Sequence, residues 1–210
     1  MPDTPHLLAV DGNSLAHRAF HAGKGDPDNT GPWVTAIIVR MLAQVWPQGP
    51  FDGVLFGFDH ADNVRKQRYP EYKAGRSEKD PELVEQLASA PLHLEACGFT
   101  VVSPPGLEAD DVMAAVAHAT REHGWRASIV SSDRDLLPLV CDDVTLLQPR
   151  GGMSDTVVCT PARVLADHGV PPSAYLEYAA LRGDPSDGLA GVDGIGPKTA
   201  ARQLRDYGDI

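Results

Sequence analysis

The sequence predicts an α/β fold: a mostly parallel sheet flanked by helices, followed by a helical C-terminal region. Three observations carry this reading. Short apolar runs recur that each lead into an aspartate, amphipathic stretches fall between them, and helical patterns predominate beyond Gly151. The 210 residues suffice for one substantial domain with a small appendage, and 42 % hydrophobic content suffices for a packed core. Aromatics make up 6 %, so that core is expected to be aliphatic.

Taken in order, His6 to Val10 runs into Asp11, Val54 to Phe58 into Asp59, and Ala127 to Val130 through two serines into Asp133. Runs of this kind suit strands buried on both faces of a parallel sheet. Weaker strands are expected over Phe99 to Val102 and Val144 to Leu147. Helices are expected from Gly31 to Trp46, stopped by Pro47; from Pro81 to Cys97, stopped near Gly98; and from Glu108 to His123, stopped at Gly124. Three more follow, Pro161 to His168, Pro172 to Arg182 and Pro197 to Tyr207. The chain therefore divides into a sheet domain over 1–155 and a helical region over 156–210. Ligands of open parallel sheets bind outside the carboxyl ends of the strands. Asp11, Asp59 and Asp133 fall there.

Composition excludes several classes. There is no apolar run of 18 residues, so no membrane helix is expected. The N-terminus lacks the basic start and apolar stretch of a signal peptide. Three widely spaced cysteines, with no Cys-x-x-Cys pair, exclude a zinc ribbon and a disulfide scaffold and point to a reducing cytoplasm. Taken alone, the net charge of −11 argues against a nucleic-acid binder, which usually shows a basic footprint. The placement of the charges decides the matter.

Nine carboxylates gather in five places: Asp11, Asp59, the Glu108/Asp110/Asp111 group, the Asp133/Asp135 pair, and the Asp184/Asp187 pair. A single Asp after a strand is explained by capping of the next helix, and acids in a first helical turn by the helix dipole. Three carboxylates within four residues exceed what capping needs. Like charges gathered at one sheet edge repel and stay ionised only beside a cation. All the donors are oxygens, which favours the hard ions Mg²⁺ or Mn²⁺ over zinc. Two such ions form the usual engine of phosphodiester hydrolysis, and they would relieve part of the acidic excess.

Two further stretches bear on phosphate. From 62 to 80 the chain carries Arg65, Lys66, Arg68, Lys73, Arg76 and Lys79, six of its 18 basic residues, with Tyr69 and Tyr72 among them. From Gly191 to Ala200, Gly194 and Gly196 lead into Pro197, Lys198 and Thr199. The glycines permit a tight turn, Pro197 suits the first position of a helix, and the exposed N–H groups with Lys198 would hold a backbone phosphate. This reads as a helix-hairpin-helix turn over 191–200.

Together these segments resemble the 5′-nucleases, the family of bacterial polymerase 5′–3′ exonuclease domains, phage 5′-nucleases and flap endonucleases. The resemblance rests on Val10-Asp11-Gly12-Asn13-Ser14-Leu15 with Arg18-Ala19-Phe20, on Phe58-Asp59, and on Arg68 through Arg76. It continues through Gly106 to Asp111, Ser132 to Val140, Gly183 to Asp187 and Gly196 to Ala200, in the family's order and over nearly the whole chain. It implies a PIN-like sheet with two metal sites and a C-terminal helix-hairpin-helix (H3TH) region. Asp11, Asp59, Glu108 and Asp110 would hold one ion. Asp111, Asp133, Asp135, Asp184 and Asp187 would serve the second, or act through water. The basic segment would form a helical arch, with Lys73 and Arg76 facing the scissile phosphate and Tyr72 stacking on a base. Arg18 and Arg65 are further phosphate candidates, and a K⁺ ion at the turn is compatible with the family.

The sequence departs from the family at Gly188, where an Asn is usual, and at Ser131-Ser132, where Thr-Gly is common. It also ends at Ile210, where family domains continue with further helices, so a short form or a fragment is expected. The expected activity is two-metal hydrolysis of DNA at 5′ ends, flaps and nicks by a monomer. The alternatives are a PIN-type endoribonuclease and a protein that binds branched DNA without cutting it.

Overall fold

The computed structural model describes residues 4–62, 64–70, 72, 78–150, 155–184 and 188–208. Six strands form one sheet: β1 (His6–Asp11), β2 (Gly53–Gly57), β3 (Thr100–Val102), β4 (Arg126–Val130), β5 (Val144–Arg150) and β6 (Asp155–Cys159). Their order is β3-β2-β1-β4-β5-β6. Neighbours run parallel, except that β6 is antiparallel to β5.

Period-two alternation splits the apolar runs between two cores. Along β1, Leu8 and Val10 face one core and Ala9 the other. The first core holds α1 (Gly12–Gly23), α2 (Trp33–Val45) and α4 (Pro81–Ala96), with Phe20, Ile38 and Leu94 fully buried. The second holds α5 (Ala109–His123) and three later helices, α6 (Pro161–His168), α7 (Tyr175–Arg182) and α8 (Pro197–Tyr207). A short helix, α3 (Val64–Arg68), lies at the start of the basic segment.

The chain runs from β1 outward to β3 and then returns to lay β4 against the other side of β1. The β1/β4 boundary is therefore the point where strand order reverses, and a crevice opens there at the carboxyl ends. Asp11 ends β1, and Ser131 to Asp133 follow β4. Gly12 matters at this edge, because a Cβ there would run into the Phe58 ring.

The expected parallel sheet, its five strands and its flanking helices are present. Three details differ. Helix α1 fills a stretch for which the sequence reading assigned no helix. Pro172 to Arg182 splits into a 3₁₀ turn at Pro172–Ala174 and α7. Strand β6 runs across the expected 155/156 division, so the sheet reaches Cys159. It is an edge strand with little burial, and its apolar residues come in a short unalternating pair that gives a weak strand signal.

Candidate active site

The crevice is a cleft of about 1010 Å³ lined by seven of the nine expected carboxylates: Asp11, Asp59, Glu108, Asp110, Asp133, Asp135 and Asp184. They arrive from five element ends. Asp11 closes β1 and caps α1, accepting the Ser14 N–H at 2.9 Å. Asp59 follows β2 and accepts the Ala109 N–H at 2.9 Å, which ties it to the first turn of α5. Asp110 lies in that turn and Glu108 caps it. Asp133 accepts the Asp135 N–H at 2.9 Å, so the pair after β4 is held by its own backbone. Asp184 lies in β7 (Gly183–Asp184), paired antiparallel with β8 (Leu189–Ala190). Asp187, Lys73 and Arg76 lie outside the described residues.

Supporting groups that the sequence reading passed over complete the shell. The Ser131 hydroxyl donates to Asp11 Oδ2 at 2.6 Å and accepts the Asp133 N–H at 3.0 Å. Ser14 Oγ accepts the Ser132 N–H at 2.9 Å, and Asn13 Oδ1 accepts the Asp59 N–H at 2.9 Å. These bonds stitch the ends of β1, β2 and β4 together. The Asp11-Gly12-Asn13-Ser14 run and the Ser131 departure were visible signals of this role. Arg18, His17, His21, Lys79, Arg134 and Arg182 bring positive or titratable groups to the same cleft.

The electrostatics favour a cation. Burial pushes the Asp11 carboxyl up to about 6, with Asp59 and Asp133 adding repulsion, against hydrogen bonds from Ser131 and Ser14 that pull it down. Among the described residues, no group of three or more His, Cys, Asp or Glu side chains stands in a ready-made coordination arrangement. An all-oxygen donor set around a buried carboxylate fits a hard divalent ion.

Asp111 does not line the cleft. Its carboxylate makes a two-point pair with Arg65, at 2.7 Å from each terminal nitrogen, and accepts the Glu108 N–H at 2.9 Å. Arg65 also stands 3.4 Å from Glu108 Oε2, and the Tyr72 hydroxyl donates to the same oxygen at 3.1 Å. In this arrangement Asp111 faces Arg65 and does not line the cleft, so any part it takes at an ion would run through water. Arg65 is engaged by carboxylates and does not stand presented to a phosphate, because a fork-shaped guanidinium in reach of a carboxylate pairs with it. Tyr72 likewise holds Glu108 in this arrangement.

The Arg65 guanidinium holds the Asp111 carboxyl below the ordinary carboxylate range. A depressed carboxyl stabilises the fold above the unfolded-state value of about 4 and loses that contribution as pH falls through the depressed one. The stability gap between wild type and Arg65→Gln, about 1 kcal/mol for a partly exposed pair, should be full at neutral pH. Urea titrations at stepped acid pH should show it closing.

The expected phosphate-gripping turn lies at the start of α8. Gly194 takes φ +77°, a left-handed conformation that favours glycine, and Gly196 caps the helix ahead of Pro197. Lys198 and Thr199 line a groove separate from the acid cleft, together with Arg202 and Arg205. The structure thus brings Asp11, Asp59, Glu108, Asp110, Asp133, Asp135, Asp184 and Arg18 to one cleft, and leaves Lys198 and Thr199 outside it.

Residues 6–169 match the family model described as 5′-3′ exonuclease, N-terminal resolvase-like domain, and residues 170–210 match 5′-3′ exonuclease, C-terminal SAM fold. The chain is 42 % identical over 215 residues to DNA polymerase I of Mycobacterium bovis, covering 98 % of this chain and 23 % of that protein. It is 37 % identical over 207 residues to the thermostable DNA polymerase I of Thermus thermophilus, covering 97 % and 24 %. The chain therefore spans about a quarter of the length of these relatives. Among solved structures, T5 5′-exonuclease with bound divalent metal ions (zinc) aligns with a TM-score of 0.76 at 26 % identity, over 97 % of this chain and 76 % of that one. Flap endonuclease-1 from Methanococcus jannaschii aligns with a TM-score of 0.61 at 15 % identity, over 96 % and 71 %, a likeness of fold. Among the described residues, no helix is long and apolar enough to cross a membrane.

Proposed function

Because this chain belongs to the 5′-3′ exonuclease family, we propose that it hydrolyses DNA phosphodiester bonds at 5′ ends, flaps and nicks with divalent cations held in its acid cleft. The observation that carries the proposal is the convergence of seven carboxylates on one cleft at the β1/β4 switch point. Asp11, Asp59, Glu108 and Asp110 would hold one ion, and Asp133, Asp135 and Asp184, with Asp187, a second; Mg²⁺ or Mn²⁺ suits the donors. Bound there, such ions lower the pKa of a water and offset charge on the leaving oxygen.

The chain's own residues do the rest. Ser131 and Ser14 orient Asp11 through both of its oxygens. Asp111 and Tyr72 position Glu108, one through its N–H and the other through its carboxylate. Arg18 and Lys79, at the cleft wall, would draw in the phosphate, with Lys73 and Arg76 of the basic segment. Gly194, Gly196, Lys198 and Thr199 would hold the backbone further along, with K⁺ as a candidate ion there.

The test is a 5′-labelled flap supplied as DNA and as RNA, with Mg²⁺. Cleavage of the DNA form to products carrying 5′-phosphates is expected. Preferential cutting of RNA would favour the endoribonuclease reading, and tight DNA binding without product at saturating Mn²⁺ would favour a binding protein.

A further inference from the structure

Two further grooves lie beyond the acid cleft. One, of about 490 Å³ between β5–β6 and α6, is lined by Arg134, Arg150 and Arg163, with Asp155 and Asp167 as its carboxylates. The other, of about 620 Å³, is lined by Lys198, Arg202 and Arg205. The three spaces are joined by shared walls. Arg134 lines both the acid cleft and the first groove, and Asp167 and His168 line both grooves. On α8 the cations fall at i, i+4 and i+7, one exposed face, while Ala200, Ala201 and Leu204 on the other face are buried. Six cations against two carboxylates along one path is the reverse of the chain's net charge of −11.

We propose that Arg134, Arg150 and Arg163 form a phosphate track that carries a DNA strand's backbone from the acid cleft to the cationic face of α8. The inference rests on the nuclease reading and adds to it a binding surface on the β5–β6 edge. Arg134 stands where the strand leaves the cleft, between Asp133 and Asp135 in sequence. Arg150 bonds Gln148 at 3.4 Å and Arg163 pairs with Asp167 at 2.7 Å. Both are exposed, so a phosphate can share or replace these weak surface contacts. The track reads backbone and not sequence.

The experiment compares wild type, Arg150→Gln/Arg163→Gln and Arg150→Lys/Arg163→Lys for binding to a fluorescent duplex with a 5′ flap, without metal, over stepped salt. Removing two phosphate contacts should weaken binding about tenfold or more and reduce the slope of log affinity against log salt by about 2. The lysine pair should keep most of the slope. The control Arg40→Gln/Arg126→Gln, which lowers net charge equally outside all three spaces, should stay within about twofold of wild type. An unchanged slope and affinity in the glutamine pair, with wild type cutting flap DNA normally, overturns the track alone. A wild type that neither binds nor cuts flap DNA overturns the nuclease reading itself.

Discussion

Asp11→Asn is expected to abolish cleavage and, at the same time, to make the metal-free protein more stable. Asp11 is 3 % exposed and shares its cleft with six other carboxylates. Its folded pKa of about 6 lies above the unfolded value of about 3.9. A raised carboxyl destabilises the fold at neutral pH, and that cost fades as pH falls through 6 towards 4. Asparagine keeps an acceptor for the Ser14 N–H and can donate to Ser131 Oγ, so the change removes charge while the hydrogen bonds remain. The gain for the metal-free chain is on the order of 2–3 kcal/mol at pH 7.5. Added Mg²⁺ should raise the melting temperature of wild type, and that of the variant by less. Loss of a ligand worth several kcal/mol of charge stabilisation predicts a rate lower by about a thousandfold or more. Calorimetry and single-turnover cleavage read the two effects separately. A variant that melts below wild type in EDTA would contradict the account.

Gly183→Ala carries the second large effect. Gly183 takes φ +78°, and a Cβ there would collide with the backbone of Gly191. Gly191 is hemmed in reciprocally, against Arg182 and Gly183. Strain in a glycine-only conformation and a backbone clash each cost about 1–3 kcal/mol, so a loss of about 3 kcal/mol or more is expected in urea unfolding. The β7–β8 pairing that this close approach permits also sets Asp184 at the cleft wall. Activity measured well below the melting point should therefore fall too, where a variant damaged only in stability would retain it.

Much of this site could be read from the sequence because a buried parallel strand announces itself. Leu7 to Val10 and Ile129 to Val130 are apolar on both faces, and the first polar residue after them must sit at the sheet edge. Topology then brings Asp11 and Asp133 together, since β1 and β4 are neighbours. What charge alone does not reveal is direction. Asp110 and Asp111 are adjacent on α5, about 100° apart around the helix, so one faces the cleft and the other Arg65. Arg65 reads as a phosphate ligand in sequence because nothing local shows that Asp111, 46 residues later, will claim it. Strand β6 escapes notice for a different reason: an edge strand buries little, so its pattern is faint. The cations Arg202 and Arg205 went unread beside Lys198, because only the groove shows what that face of the helix lines.

The central claim is that the acid cleft cuts DNA through divalent cations held by these carboxylates. Its most direct test is single-turnover cleavage of a 5′-flap DNA by wild type and Asp135→Ala, across an Mg²⁺ titration and in EDTA. The account predicts saturable dependence on Mg²⁺, no cleavage in EDTA, and a rate lower by about a thousandfold or more in the variant. Cleavage that persists in EDTA, or that is unaffected by Asp135→Ala, would contradict it.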